Sequence, residues 1–353
     1  MTSMMEEIIQ QPVALGGVRK FYTSPGAIPA KALRKLITRW PPTVVFTGMG
    51  ASLFAAYPAQ AYLNSLGIRT LLWETAELLH HHMKILHPDT LLVAISQSGE
   101  TVEITRLLDR LPKKMGVVGV TNAEASTLAR RATLALPLLA GSQSTVSTKT
   151  YMCAVGVLMY LAVAIARQSQ RSLTESMMRA IEAQDRILND ERAQTLATLE
   201  FFNHPPYVAL LSRGADLASA YQGALMFKEV ARLAAEPISA AQFRHGPIEI
   251  VNPAHRYIIF ARQGIQSRGE KTAKLLLGLA TDIHAHAGRV LLLTDQHFKS
   301  ATNTRVIQVE PLGRGLGTLV DILYIQLLVH DLALHSGRDP GKFWIAEGVT
   351  RKE

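Results

Sequence analysis

A loop rich in hydroxyl groups, residues 96–101, lies between an apolar run at 91–95 and a segment whose apolar residues recur at three- and four-residue steps. This order predicts a buried strand that turns directly into a helix. The hydroxyls of Ser96, Ser98 and Thr101, with the free N–H groups of the helix start, would suit a phosphate group. An ordinary helix N-terminus is the alternative. The loop has one glycine and no lysine, so it is neither a Walker loop nor a dinucleotide-binding loop.

Two further residues have side chains suited to acid–base chemistry. Glu229 has apolar residues around it at helical spacing, which would raise its pKa and let it carry a proton. The alternative is a partly buried glutamate that pairs with Arg232 on the same helix. His245 precedes a Gly-Pro pair, which predicts an exposed turn where a histidine can act as acid or base near neutral pH. A histidine that is merely solvated is the alternative at that position.

The sequence predicts neither a metal site nor a cofactor. Three consecutive histidines, at 80–82, cannot share one face of a helix, so we interpret them as a solvated surface. Cys153 is the single cysteine, which excludes an internal disulfide and a metal site built from cysteines.

Composition indicates a compact, well-buried globular protein, and its positive charge is compatible with an anionic substrate. The 353 residues are 48% apolar and 18% charged, and the formal net charge is +9. The basic residues are dispersed and aromatic residues are few, so we expect no nucleic-acid partner. The longest apolar run, 151–166, is too short to span a bilayer and predicts a buried core helix. The acidic N-terminus shows no secretory signal, so we expect a cytoplasmic protein without membrane contact.

Strands and helices alternate, which predicts an α/β fold with a doubly wound parallel sheet, and the pattern occurs twice. Residues 50–53 match 214–217, which indicates an internal duplication. Ligands bind at the carboxyl ends of such strands, so Ser52 and Ser96 are expected neighbours. The third strand of the second half runs into Arg262, so only the first half has a hydroxyl loop. Strands are predicted at 44–46, 70–73, 91–96, 117–121, 132–136, 207–211, 257–261, 290–294 and 305–309, with a helix at 53–66.

Five segments are predicted along the chain. They are an N-terminal helical segment at 1–36 with turns at 16–17 and 24–26, a first domain at 37–167 with the phosphate-binding loops, a helical linker at 168–200, a second domain at 201–335 with the glutamate and histidine, and a C-terminal tail at 336–353 that would close the site.

Five motifs, in this order, carry a resemblance to a known family. They are the residues at 50–52, 96–101, 147–149, 223–229 and 244–247. The chain resembles the sugar isomerase (SIS) family, and most closely the two-SIS isomerase half of glucosamine-6-phosphate synthase. The resemblance implies two duplicated flavodoxin-like domains and a sugar phosphate as the ligand.

The resemblance also implies a role for each matching residue. Glu229 would move a proton between C1 and C2 of the sugar through an enediol or enolamine, and His245 would open the sugar ring. In the family this histidine reaches the site of the neighbouring subunit, so a homodimer is implied. The sugar 6-phosphate would be held by Ser52, Ser96, Gln97, Ser98 and Thr101, and the sugar would lie against Gly50, Ala51 and Ser147.

Three departures from the synthase change the expected reaction. The amide-transferring half is not in this sequence, so we expect no use of glutamine. Met226 stands where the family has a lysine, and Glu347 aligns with the lysine that forms a Schiff base with the ketose. The chain therefore also resembles stand-alone sugar-phosphate deaminases and fructosamine-6-phosphate deglycases.

The predicted function is that of an isomerase or deaminase that acts on an amino-sugar 6-phosphate without a cofactor, with Glu229 and His245 as its acid–base residues. A fructosamine-6-phosphate deglycase is one alternative, in which Glu347 would face the cationic amine. A sugar-phosphate sensor without catalysis is the other alternative.

Overall fold

The computed structural model describes residues 1–38, 40, 42–112, 115–190, 198–263, 269–299, 301–313 and 315–345. These residues form two compact units that do not follow chain order. The N-terminal unit holds Val13–Thr174 and the described tail residues from Phe343 onward, and the C-terminal unit holds Met1–Pro12 and Glu175–Lys342.

Helices and strands alternate along most of the chain. In chain order they are α1 Ser3–Ile9, α2 Gln11–Tyr22, α3 Ala30–Leu36, α4 Ala51–Phe54, α5 Tyr57–Ser65, α6 Thr75–His81, α7 Val102–Arg110, α8 Thr127–Arg131, α9 Lys149–Ile165, α10 Arg171–Asn189, α11 Leu217–Met226, α12 Ala240–Phe243, α13 Gly269–Ala285 and α14 Thr318–His335. Short 3₁₀ turns lie at Met83–Ile85, Glu200–Phe202, Gly214–Asp216 and Pro247–Ile250, and a π turn at Phe227–Ala231 follows α11.

The N-terminal unit contains a five-stranded parallel sheet. Its strands are β1 Thr43–Gly48, β2 Thr70–Glu74, β3 Thr90–Ile95, β4 Val117–Thr121 and β5 Leu134–Pro137, which confirms the five strands predicted in this half. The strand order is β2-β1-β3-β4-β5. All six residues of β3 are buried, as its unbroken apolar run predicts for a strand covered on both faces.

The C-terminal unit repeats this sheet in the same order. Its strands are β6 Val208–Ser212, β7 Ala235–Ser239, β8 Arg256–Ala261, β9 Arg289–Thr294 and β10 Thr304–Gln308, and all pairs are parallel. The strand order is β10-β9-β8-β6-β7, so in both sheets the second strand of the repeat is at one edge and the fifth is at the other. The two α/β domains and their duplication are confirmed, and the order is that of flavodoxin-like sheets.

Three local expectations need correction. Gly16 and Gly17 do not form a turn but lie inside α2, where buried Leu15 and Val18 on either side anchor the helix. The predicted helix at 53–66 is two helices, α4 and α5, and Pro58 is in the first turn of the second. Strand β7 was not predicted, because its Pro237 lacks an N–H and its residues are mostly half-exposed, as an edge strand allows.

Two long apolar helices form core elements. In α9 all residues but one are buried, which confirms the core helix predicted at 151–166. Helix α14 has the length and hydropathy of a membrane-spanning helix, but 89% of it is buried within the protein. That burial is typical of the central helix of a folded domain.

The carboxyl edge of the second sheet contains a buried ion cluster where the first sheet has its hydroxyl loop. Arg262 follows β8 as Ser96 follows β3, and its Nε and Nη2 donate to Asp321 Oδ1 at 3.0 and 2.6 Å. Its Nη1 donates to the Glu310 carbonyl at 2.6 Å. Asp216 lies at the position that Ser52 has in the first repeat, and burial raises its pKa to about 7. The guanidinium group of Arg262 thus occupies the carboxyl edge of the second sheet.

Replacing Arg262 by methionine should destabilise the C-terminal unit by about 3–5 kcal/mol, because Asp321 would remain buried without its cation. Urea unfolding at pH 8 measures the loss. The matched control is Arg186→Met, because Arg186 pairs with Glu310 at the surface and such a pair contributes about 1 kcal/mol or less. Equal effects of the two substitutions would contradict a special role for the buried pair.

Candidate active site

The hydroxyl loop 96–101 is ordered by its own side chains. Ser96 Oγ lies 2.8 Å from Thr101 Oγ1 and accepts a hydrogen bond from the Gly99 N–H at 3.1 Å. Ser98 Oγ accepts from the Glu100 N–H at 3.2 Å. Thr101 is the N-cap residue of α7, yet its side chain does not cap the helix. The first-turn N–H groups of α7 therefore have no hydroxyl cap from Thr101, which suits the binding of an anion.

Residues after β4 fix the position of this loop. Gly99 has φ +64°, and a Cβ there would lie 2.1 Å from Ser126 Oγ, so both conformation and space require glycine. The Gln97 carbonyl accepts from the Asn122 N–H at 3.0 Å. Glu100 accepts a 2.6 Å hydrogen bond from the Thr127 N–H, and this bond lowers the pKa of its carboxyl. The carboxyl of Glu100, the acidic residue of the loop, is therefore bound at the start of α8.

Some of the predicted sugar-binding and phosphate-binding residues lie together within the N-terminal unit. Ser52, Gln97 and Ser147 line one cavity of about 10 Å³, which is room for about one water molecule. A hexose needs more space than this cavity provides. Ser147 Oγ is 2.9 Å from Thr150 Oγ1 at the start of α9. Ala51 also lines the cavity, and Gly50 precedes it with φ +49° as the N-cap residue of α4.

Glu229 lies in the C-terminal unit, on the π turn that follows α11. Its pKa is raised to about 7 by burial, which the charge of Lys228 opposes. The direction of this shift agrees with the expectation from its apolar surroundings. The α-helical spacing used to choose its neighbours does not hold, because α11 ends at Met226 and the wider π turn begins there. π turns are often found at functional sites.

His245 is exposed at a turn of the C-terminal unit, as its sequence predicts. Its N–H donates to the Gln242 carbonyl at 2.9 Å, and Gly246 follows with φ +125°. The rigid Pro247 then begins a 3₁₀ turn. The backbone around the imidazole is therefore fixed while the ring faces solvent.

Two other sequence features were considered for the site, Glu347 and the three histidines at 80–82. Glu347 lies outside the described residues. His80 and His81 are exposed at the end of α6, and the His82 ring lies 4.0 Å from the Trp73 ring. Among the residues that the structure describes, no group of three or more His, Cys, Asp or Glu side chains could hold a metal ion.

Three residues that hold the loop 96–101 and the π turn in place were not predicted from the sequence. Ser126 and Asn122 hold the hydroxyl loop, but serine and asparagine after a strand are too common to signal this role. Arg338 donates to the Ala231 carbonyl at 2.6 Å, at the end of the π turn. No local pattern could have revealed that contact, because the two residues are 107 positions apart.

Comparison with known proteins identifies one domain of the chain. Residues 36–164 match the family model of the SIS domain. The chain contains a SIS domain. It is 28% identical over 364 residues to the glutamine–fructose-6-phosphate aminotransferase (isomerizing) of Pyrococcus horikoshii, covering 96% of this chain and 56% of that protein. The corresponding enzyme of Pseudomonas putida is 29% identical over 84% of this chain and 49% of its own length. This SIS-domain protein thus spans about half the length of the relatives that it matches.

Solved structures with the same fold include three enzymes. The C-terminal domain of the glucosamine-fructose-6-phosphate aminotransferase of Francisella tularensis aligns over 96% of this chain and 98% of its own, with a TM-score of 0.86 and 22% identity. The tagatose-6-phosphate ketose/aldose isomerase of Escherichia coli gives 0.78 at 19% identity over 98% and 97% of the two chains. The glucosamine-6-phosphate deaminase of Thermotoga maritima gives 0.74 at 21% identity over 99% of each chain. These likenesses establish the fold of the SIS-domain protein.

Glu229→Gln should stabilise the protein at pH 8 but not at pH 5. The pKa of Glu229 is about 7 in the folded protein against an ordinary value of 4.5, so the folded state binds more protons between these pH values. The free energy of unfolding therefore falls as pH rises from about 4.5 to 7. Glutamine avoids this loss, which is on the order of 1–3 kcal/mol.

Thermal unfolding midpoints of both proteins at pH 5 and pH 8 test this expectation. Glu249→Gln is the control, because Glu249 is an exposed glutamate of the same unit. A stabilisation by Glu229→Gln that is equal at both pH values would mean that the titration of Glu229 is not its cause.

Proposed function

We propose that this SIS-domain protein converts an amino-sugar 6-phosphate into a ketose 6-phosphate, with glucosamine 6-phosphate as the model substrate. The observation that carries the proposal is Glu229, a half-buried carboxyl on the π turn whose pKa, raised to about 7, suits both uptake and release of a proton at neutral pH. A sensor that only binds its ligand has no need of such a group, and the carboxyl is a cost to stability.

The hydroxyl loop 96–101 supports the choice of a phosphate ester as the ligand. It offers hydroxyls and backbone N–H groups at the carboxyl edge of the first sheet and no cationic side chain of its own. The relatives are named for fructose 6-phosphate, and one structural neighbour is named as a glucosamine-6-phosphate deaminase. In this chain the phosphate would be held by Ser52, Ser96, Gln97, Ser98 and Thr101.

The proposed reaction balances with water as the only co-reactant. His245 protonates the ring oxygen and opens the sugar to its aldehyde form. Glu229 removes the proton from C2, so that the electrons form an enolamine, and the proton then returns to C1. The product is an imine at C2, and water adds to it and releases ammonia and the ketose 6-phosphate. Glu229 must be unprotonated to take the proton from C2, so its pKa of about 7 places the rise in activity near neutral pH.

An assay with two substrates tests the proposal. Glucosamine 6-phosphate should yield ammonia and fructose 6-phosphate in equal amounts, and Glu229→Gln should abolish exchange of the C2 proton with solvent while the sugar phosphate still binds. If a fructosyl-amino-acid 6-phosphate is turned over instead, with release of the amino acid, the protein is a deglycase. Binding of sugar phosphates without turnover of either would support a sensor and overturn the proposal.

The proposal includes a homodimer in which His245 serves the site of the partner subunit. The exposed turn that carries His245 supports this part, because the imidazole is open to another molecule. If each site takes its histidine from the other subunit, combining two inactive variants in one dimer should restore activity at one of its two sites.

Co-expression of Glu229→Gln with His245→Asn should restore about a quarter of the wild-type activity, since half of the dimers are mixed and each mixed dimer has one intact site. Each variant alone is the control and should be inactive. If both residues serve the same chain, co-expression restores nothing. Size-exclusion chromatography with light scattering measures the dimer directly.

A further inference from the structure

The π turn that carries Glu229 has an unusual end. After Ala231 the chain enters the left-handed region at Arg232, with φ +53°, and the Leu233 N–H returns to the Phe227 carbonyl at 3.1 Å. A non-glycine residue in this conformation is uncommon. A π turn is a wide and locally unfavourable form of helix, so it needs support from its surroundings.

Arg338 supplies a contact at this point. Its Nη1 donates to the Ala231 carbonyl at 2.6 Å, and Ala231 is only 2% exposed. The backbone of Arg338 is itself held, since its N–H donates at 2.9 Å to the Ala333 carbonyl in the last turn of α14. The arginine thus joins the end of a long buried helix to the end of the π turn.

We propose that Arg338 is a positioning residue for Glu229. The inference rests on the proposed role of Glu229 as the proton carrier. Loss of the guanidinium would leave the buried Ala231 carbonyl without this donor, and the turn could then relax toward an α-helix. Winding toward an α-helix changes the rotation around the helix axis from one residue to the next, so the side chain of Glu229, within the turn, would point in another direction. The carboxylate would then miss the sugar carbon.

Arg338 acts through geometry and not through its charge. Burial raises the pKa of Glu229 and the charge of Lys228 opposes this, whereas Arg338 does not contribute to the shift. A donor of similar reach should therefore replace it in part. Lysine keeps a donor at the end of a long chain, whereas alanine removes it.

A cavity beside this contact makes the inference testable by chemical rescue. The cavity has a volume of about 420 Å³ and is lined by Ala231 and Arg338, with Phe202, His204, Leu233 and His335 around them. It is large enough to admit a small ligand. A guanidinium ion in solution could therefore reach the place that Arg338→Ala leaves empty.

We expect Arg338→Ala to lower kcat about tenfold or more with KM for glucosamine 6-phosphate within about twofold of wild type, because the phosphate is held elsewhere. Arg338→Lys should keep an intermediate kcat. Millimolar guanidinium chloride should raise kcat of Arg338→Ala and leave the wild type unchanged. The control is Arg186→Ala, which removes a surface arginine of the same unit and should retain the wild-type kcat.

Hydrogen exchange of the peptide that contains 227–233 is a readout that does not depend on activity. Exchange should be faster in Arg338→Ala than in wild type or Arg186→Ala, and Arg338→Lys provides the comparison if the alanine variant fails to fold. Unchanged exchange, or an unchanged kcat while Glu229→Gln is inactive, would overturn the role of Arg338. Activity retained in Glu229→Gln would instead overturn the proposed function, which separates the two failures.

Discussion

Parallel strands that are buried on both faces place all their carboxyl ends at one edge of the sheet, and the rest of this structure depends on that constraint. In the N-terminal unit, the constraint brings the end of β1, with Ser52, next to the end of β3, with Gln97. Residues that are far apart in the chain thereby line one cavity. The helix that follows β3 adds its N–H groups at the same edge, so a polar site arises beside an apolar core.

The duplication shows how the same edge can serve two purposes. In the first sheet, this edge carries neutral hydroxyls and backbone N–H groups, which we propose as the binding site of a phosphate. In the second sheet, Arg262 and Asp321 fill the corresponding place with charges that satisfy each other. Gly317 leaves room for this pair, because a Cβ there would lie 2.5 Å from Arg262 Cδ. The proposed ligand site therefore belongs to the first repeat, and the same edge of the second repeat is filled by an internal ion pair.

The sequence was most informative where local pattern and burial coincide. The apolar run of β3 is buried throughout, and the turn signal around Gly26 is real, since that glycine has φ +85°. Prediction failed where distant contacts override the local signal. Gly16 and Gly17 remain helical because their neighbours are buried, and β7 pairs with β6 despite its proline.

The same division holds for the candidate site. The loop 96–101 and the exposed turn at His245 could be identified because each has its own local signature. The π turn under Glu229 could not, because its last carbonyl is held by Arg338, which lies far along the chain. The burial that raises the pKa of Glu229 is likewise a tertiary property, and a helical pattern predicts only its direction.

The neutrality of the hydroxyl loop has a consequence for how a phosphate would be recognised. Glu100 is held by the Thr127 N–H, and the loop contributes no lysine or arginine of its own. Recognition by the loop would therefore depend on short hydrogen bonds and on the dipole of α7, which act over a few ångströms. Such a site responds weakly to ionic strength, because few counterions are displaced when the ligand enters. It would distinguish ligands by the shape of the phosphate and not by total charge.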